Sequence, residues 1–264
     1  MGIWSRWTER LAAGRDERIL RNRPIPDALW QAVIGRYPFL IHRGVDDLAE
    51  LRRLATLFLA RKEFTGAGGL SPTDEIAVAI AAQACLPVLK IGLDAYDGFV
   101  GIVIHPDEVL APREMMDEDG VVHEYTENLT GEAMDGGPVM LSWRDVDEAG
   151  DTAGFAYNVV IHEFAHVLDM RNGDADGVPL LPSRAAYEEW STVMAAEYEA
   201  FCTAVDRGDE LVIDDYGAEA PEEFFAVASE AFFVTPRSLR RQHPELYRLL
   251  ADYYRQDPAA SLPE

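Results

Sequence analysis

From Val45 to Phe64 the apolar residues Leu48, Leu51, Leu54, Ala55, Phe58 and Leu59 recur at steps of three and four, which predicts an amphipathic helix. Gly66, Gly68 and Gly69 stop it. With no Gly-Lys-Ser/Thr and no preceding strand, they read as a loop rather than a phosphate cradle. A second helix is predicted from Ser71, as N-cap before Pro72, through Ile76, Ile80 and Ala84 to Cys85. A shorter one covers Asp27 to Arg36. The pattern then changes. Phe99 to Ile104 is β-branched and reads as a strand, Met115 to Glu124 as a hairpin about Asp119-Gly120, and Val139 to Trp143 as another strand. Helical spacing returns over Ser183–Val205, Pro221–Phe233 and Pro244–Tyr254. Helices on both sides of a few short strands predict an α+β fold. Residues 1–90 are expected to form an N-terminal helical region packed on a core of residues 91–264, in one continuous domain or two.

One helical run carries polar groups where an apolar face is expected. Asn158 to Asp169 is mostly Val, Ile, Phe, Ala and Leu, yet contains His162, Glu163 and His166. The helix is predicted to start near Thr152 to Phe155 and to end around Met170 to Asn172 before Gly173. At i and i+4 the two imidazoles sit one above the other. So placed, they can bind one Zn²⁺, and Glu163 can reach a water beside it. Residue frequencies alone produce such a pattern in about one chain of this length in a hundred, so the surroundings matter. A carboxylate in so apolar a run is costly to bury without a partner, which argues against a core helix with two satisfied histidines. On a helical wheel Asp169 falls about 20° from His162, on the same face, and is expected to hold an imidazole nitrogen and fix its tautomer.

A catalytic zinc needs a third protein ligand. The metzincin pattern would require a glycine and a histidine where this chain has Asp169 and Asn172, so that class is excluded. His42, His105, His123 and His243 lack helix-phased partners and read as surface residues. The helix from Pro221 to Phe233 is apolar nearly all round except for Glu223 and Glu230, seven residues apart on one stripe. Either carboxylate could be the ligand and the other its support; spacing does not choose.

Composition narrows the partners. Lys and Arg number 23 against 47 Asp and Glu, a formal net charge of −24, which is repelled by a phosphate backbone and argues against nucleic acid as a partner. The one basic segment, Arg6 to Arg23, reads as a loosely docked N-terminal arm. It has no continuous apolar stretch of a secretory signal, and no run long enough to span a membrane occurs anywhere. Cys85 and Cys202 read as buried free thiols, which points to the cytoplasm.

Several segments together resemble the Mlc titration factor A family of bacterial zinc metallopeptidases. They are Ala60-Arg61-Lys62-Glu63-Phe64, Ala82 to Pro87, Tyr96-Asp97-Gly98-Phe99, Gly137-Pro138-Val139 with Leu141-Ser142-Trp143, the His162 to Asp169 run, and Glu223 to Val227 with Ser229-Glu230. The resemblance runs from about Leu57 to Pro236. It implies a zincin-like catalytic domain similar to that of the anthrax lethal factor, with a small mixed sheet and an active-site helix flanked by N-terminal helices. It further implies one Zn²⁺ per chain on His162, His166 and Glu223, with Glu163 as general base and Glu230 behind the ligands. Tyr216, seven residues before Glu223, would then stabilise the oxyanion. Activity on peptide or protein substrates, of the aminopeptidase kind, and binding of a transcriptional repressor, the glucose repressor Mlc, are likewise implications of the resemblance. A sequestering protein without catalysis is the alternative.

Overall fold

The computed structural model describes residues 3–116, 122–134 and 136–261. The chain opens with α1 (Ile3–Asn22), α2 (Asp27–Ile34), α3 (Pro38–Ile41) and α4 (Val45–Arg61). The basic segment expected to be a loose arm is therefore helix α1, tied to α4 by Arg61 on Asp16 at 2.9 Å, with Ile19 and Leu20 packed on the core. The apolar stripe of α4 buries Leu51, Leu54, Ala55 and Phe58 as its spacing predicts.

Helix α4 stops three residues before the predicted end, because Glu63–Gly66 forms β1. Its partner, β2 (Gly101–His105), runs parallel, joined through α5 (Asp74–Ala84). A parallel pair needs such a crossover, and a helix is the usual one. The cap of α5 is Thr73, whose hydroxyl accepts from Ile76 N–H, two residues later than the Ser71 expected from sequence. Next come β3 (Val109–Met116) and β4 (Val122–Leu129), an antiparallel pair; the predicted Asp119-Gly120 turn lies outside the described residues. Then β5 (Gly131–Ala133) and β6 (Val139–Ser142) complete a mixed sheet of order β1-β2-β6-β5, with only β5 antiparallel. Strand β5 is absent from the sequence prediction: three residues beginning with glycine show no alternation.

Helices α6 (Trp143–Glu148), α7 (Val159–Asp169), α8 (Arg184–Arg207), α9 (Pro221–Val234), α10 (Pro236–Gln242), α11 (Pro244–Tyr254) and α12 (Pro258–Ser261) follow. Thr152–Phe155, the expected start of the metal helix, is a separate 3-10 turn; α7 begins only after Asn158, whose side chain accepts from Ile161 N–H at 2.9 Å. His243, expected at the surface, is partly buried against Glu197, 2.8 Å away. No described helix is long and apolar enough to cross a membrane.

Phe164 of α7 meets the rings of Phe58, Tyr96 and Phe99 with centroids 4.9–5.7 Å apart, so α7 is pinned between the first helices and the sheet. Helix α9 packs along α7 and buries Phe224, Phe225, Phe232 and Phe233. Buried residues from Ile25 to Ala259 belong to one cluster.

Where α4 gives way to β1, Lys62 is folded under the sheet. Its ammonium donates to the carbonyls of Tyr96 and Phe99, both at 2.5 Å, and lies 3.7 Å from the Phe99 ring centre. Burial lowers its pKa from 10.5 to about 8, with Asp97 opposing. The unfolded chain therefore holds this proton more tightly, and through this group stability rises with pH between about 8 and 10.5. Lys62→Met should remove that rise. Urea midpoints across the window should diverge between wild type and variant as pH increases; parallel midpoints would refute the assignment.

Candidate metal centre

Three elements deliver the polar groups to one place. Helix α7 is held by Asn158, fully buried, whose amide donates to Gln83 Oε1 of α5 at 2.8 Å while its backbone N–H donates to Glu230 Oε2 of α9. One residue thus caps α7 and joins it to both neighbouring helices. An asparagine directly before an apolar run is a recognised helix-start signal, and it marks this boundary in the sequence.

On the exposed side of α7, His162 Nε2 and His166 Nε2 lie 3.2 Å apart. Glu223 Oε2, from the first turn of α9, stands 3.1 Å from the first and 3.3 Å from the second. This carboxylate oxygen is buried and has no hydrogen-bond partner apart from those two imidazole nitrogens. Three lone-pair atoms therefore face a common point. Ligands about 2.05 Å from a tetrahedral zinc would be separated by about 3.3 Å. The donor set and its spacing fit that ion, and the other His/Cys/Asp/Glu groups among the described residues form no comparable cluster.

Glu230 occupies the far side of the same imidazole. Its Oε1 lies 2.8 Å from His162 Nδ1, and only 3% of its side chain is accessible, against 20% for Glu223. A carboxylate behind a ligating histidine orients the ring and raises its basicity. The two glutamates left equivalent by spacing thus differ in depth and in which ring nitrogen they meet.

Asp169 departs from expectation. It is fully buried, but its Oδ2 accepts from Gly177 N–H at 2.8 Å and its Oδ1 has no hydrogen-bond partner; neither oxygen holds an imidazole. Its helical phase is as predicted, but the loop after α7 folds back and takes the carboxylate first. Gly177 also accepts from Trp190 Nε1 at 2.9 Å, and a Cβ there would come within 2.6 Å of Pro221 O. Asp169 therefore clamps that loop against the start of α9, beside Glu223. Sequence reading did not single out Gly177, whose φ of +76° favours glycine.

Tyr216 lies on a 3-10 turn, Asp215–Ala218, capped by Asp214 Oδ1 on Tyr216 N–H at 2.9 Å. The turn presses on α9 through Gly217, where a Cβ would come within 2.6 Å of Val227 Cγ2. The Tyr216 ring is 6.0 Å from that of His162 and 39% exposed, standing in the cleft. Two cavities of about 260 and 270 Å³ meet there, sharing Gly131, His162, Glu163 and Tyr216. Tyr157 and Asp214 line one arm; Glu132, Met170 and Glu222 line the other.

Electrostatics follow from burial. Burial raises the Glu163 carboxyl to about 7, opposed by His162 and His166. Burial alone would discharge His162, but Glu223 and Glu230 on its two nitrogens hold its pKa well above the ordinary value. Glu223 would be raised by burial, yet the two imidazoles bring it down to about 2. Burial raises Glu230, with His162 opposing. Burial also raises Asp169 to about 6, against the Gly177 N–H.

A family model described as glucose-regulated metallo-peptidase M90 matches residues 11–255. The chain is 37% identical over 236 residues to Mlc titration factor A of Pectobacterium atrosepticum, covering 88% of both chains. It is 36% identical over 234 residues to the protein of that name from Klebsiella pneumoniae subsp. pneumoniae, covering 88% and 87%. An uncharacterised protein of Synechocystis sp. is 36% identical over 245 residues, covering 92% and 88%.

Gly131 is a further position that sequence reading passed over. A Cβ there would lie 2.4 Å from Glu163 Oε1 and 2.6 Å from its Cγ, so β5 can approach α7 only with glycine at this point. Gly131→Ala should displace Glu163 and cut hydrolysis by about a hundredfold, with metal content and melting temperature near wild type. Unchanged turnover would show that Glu163 is not held by this contact.

Proposed function

We propose that this chain, which belongs to the glucose-regulated metallo-peptidase M90 family, is a zinc-dependent peptidase with its metal on His162, His166 and Glu223. The observation that carries this reading is the convergence of two imidazole nitrogens and one buried carboxylate oxygen within 3.1–3.3 Å. A zinc ion bound there supplies Lewis acidity, acidifying a water and polarising the scissile carbonyl.

The protein groups around it divide the remaining work. Glu163, buried and with its pKa near 7, takes the proton of the attacking water and returns it to the leaving amine. The Tyr216 hydroxyl, at the wall of the cleft, donates to the developing oxyanion. Glu230 keeps His162 oriented through Nδ1. Strand β5, an edge of the sheet lining both arms of the cleft, offers backbone groups on which an extended peptide can add as a further strand. Glu222 lines one arm and can pair with an α-ammonium group, which favours cleavage next to a free amino terminus. Both cysteines are free thiols, in keeping with a reducing cytoplasm.

A second role is favoured by the names of relatives, Mlc titration factor A in Pectobacterium and Klebsiella: binding of a transcriptional repressor. It is compatible with catalysis and need not use the metal. Capture of the repressor by Glu163→Gln as well as by wild type would separate binding from hydrolysis.

Glu163→Gln should keep about one zinc per chain and lose at least about a thousandfold in peptide hydrolysis. Tyr216→Phe should lower kcat by about a hundredfold with KM little changed. Glu223→Ala should lower the zinc content measured by elemental analysis, whereas Glu230→Ala should weaken zinc binding by only about ten- to a hundredfold. Wild-type turnover in Glu163→Gln, or full metal retention in Glu223→Ala, would defeat the assignment.

A further inference from the structure

A cavity of about 420 Å³ lies where the turn after α7, the loop before α8, and helices α8 and α11 meet. It does not include the metal-site residues. Its apolar lining comes from Leu180, Leu181, Trp190, Leu249 and Tyr253; Trp190 and Tyr253 pack edge to face with centroids 5.4 Å apart. Leu180 is half exposed at its rim. A concave apolar site of this size with a few polar groups is the ordinary form of a small-molecule pocket.

The charges around it are distributed unusually for a chain of net −24. Its two acidic lining residues, Glu189 and Asp252, are both engaged by Arg248, at 2.8 and 3.2 Å, an arginine that Glu245 shares at 3.4 Å. The side chains of its two basic ones, Arg171 and Arg255, form no ion pair or hydrogen bond among the described residues. The cluster as a whole is charge-balanced, but two exposed guanidinium groups without carboxylate partners stand at the edge of an apolar cavity, where they can donate to an anionic ligand.

Arg255 adds an independent observation. It ends α11 with φ of 54°, one of two non-glycine residues with positive φ among the described residues. Glycine is the favoured residue at such a helix end. An arginine held in a disfavoured backbone conformation beside a cavity points to use of its side chain.

We propose that this cavity binds a small amphipathic acid, with its apolar body against Trp190, Tyr253 and Leu181 and its carboxylate on Arg171 and Arg255. The site is separate from the metal centre, and the proposal does not rest on peptidase activity.

The test is calorimetric titration of the full-length zinc-loaded protein with octanoate, octanol and octylamine. Octanoate should bind saturably, and the other two about tenfold more weakly or not at all. Arg171→Gln and Arg255→Gln should each lower octanoate affinity by about tenfold, while Arg241→Gln, which does not line this cavity, should leave it unchanged. Arg255→Gly should raise the melting temperature while weakening octanoate, since it removes the backbone strain and the cation together. Equal binding of octanol and octanoate would reduce the site to a nonspecific apolar pocket and overturn the proposal. So would absence of saturable octanoate binding, or affinity unaffected by either arginine.

Discussion

Everything in this molecule that bears on chemistry depends on one electrostatic constraint: three glutamates and two histidines share a site from which water is largely withdrawn. Glu163 and Glu230 are buried, Glu223 nearly so, and His162 and His166 stand among them. Withdrawing charges from water costs several kcal/mol each unless they are paired. Neutral imidazoles would leave up to three negative charges unbalanced; a protonated His162 offsets one. A divalent cation offsets two and meets the lone pairs that face each other at about 3 Å. In its absence the same geometry forces a proton onto His162, the direction in which its pKa moves. Proton and metal therefore compete for one ring nitrogen, and the fold must tolerate either occupant.

It does so because the scaffold around the site has joints that do not involve the ligands. Besides His162 on Glu230, α7 and α9 are joined by the bond from Asn158 N–H to Glu230, and α7 and α5 by the Asn158 amide on Gln83. Both lie behind the histidines. Phe164 fills the opposite face of α7 with aromatic contacts. The front of the helix is free to present His162, Glu163 and His166 because its back is already fixed.

The helical framework was legible from spacing, since α4, α5, α8, α9 and α11 each carry an apolar face or an apolar circumference. The small sheet was only half legible. Strands β2 and β6 are buried and rich in Val, Ile and Leu, whereas β1 and β5 are the edges and have little apolar pattern of their own. Their existence is set by what lies beside them, which periodicity cannot see. The same limit explains Asp169. Its helical phase was readable, but the return of the Gly173 to Val178 loop onto it was not, because loop paths are fixed by tertiary bonds such as Trp190 to Gly177. Spacing placed Glu223 and Glu230 on one stripe; only depth separates them. Glu223 sits in the first turn of α9, where the helix end stabilises negative charge and the cleft opens. Glu230 sits two turns deeper, behind the ring.

Strand β5 shows how a chemically undistinguished segment becomes decisive. Its three residues form one edge of the sheet, and the first of them rests on the Glu163 side chain. A larger residue at Gly131 would push the Glu163 side chain out of its place. With glycine, the backbone that would receive a peptide on the proposed function and the carboxylate that would move its proton are in contact. An added strand on β5 would then pass directly over His162 and Glu163, between the Tyr157 arm and the Met170 arm. Register along β5 would choose the bond that meets the metal centre, and backbone pairing, which is indifferent to side chains, would do most of the holding. On the proposed function, side-chain preference would be left to the two arms, where the carboxylates Asp214 and Glu222 would favour positively charged groups.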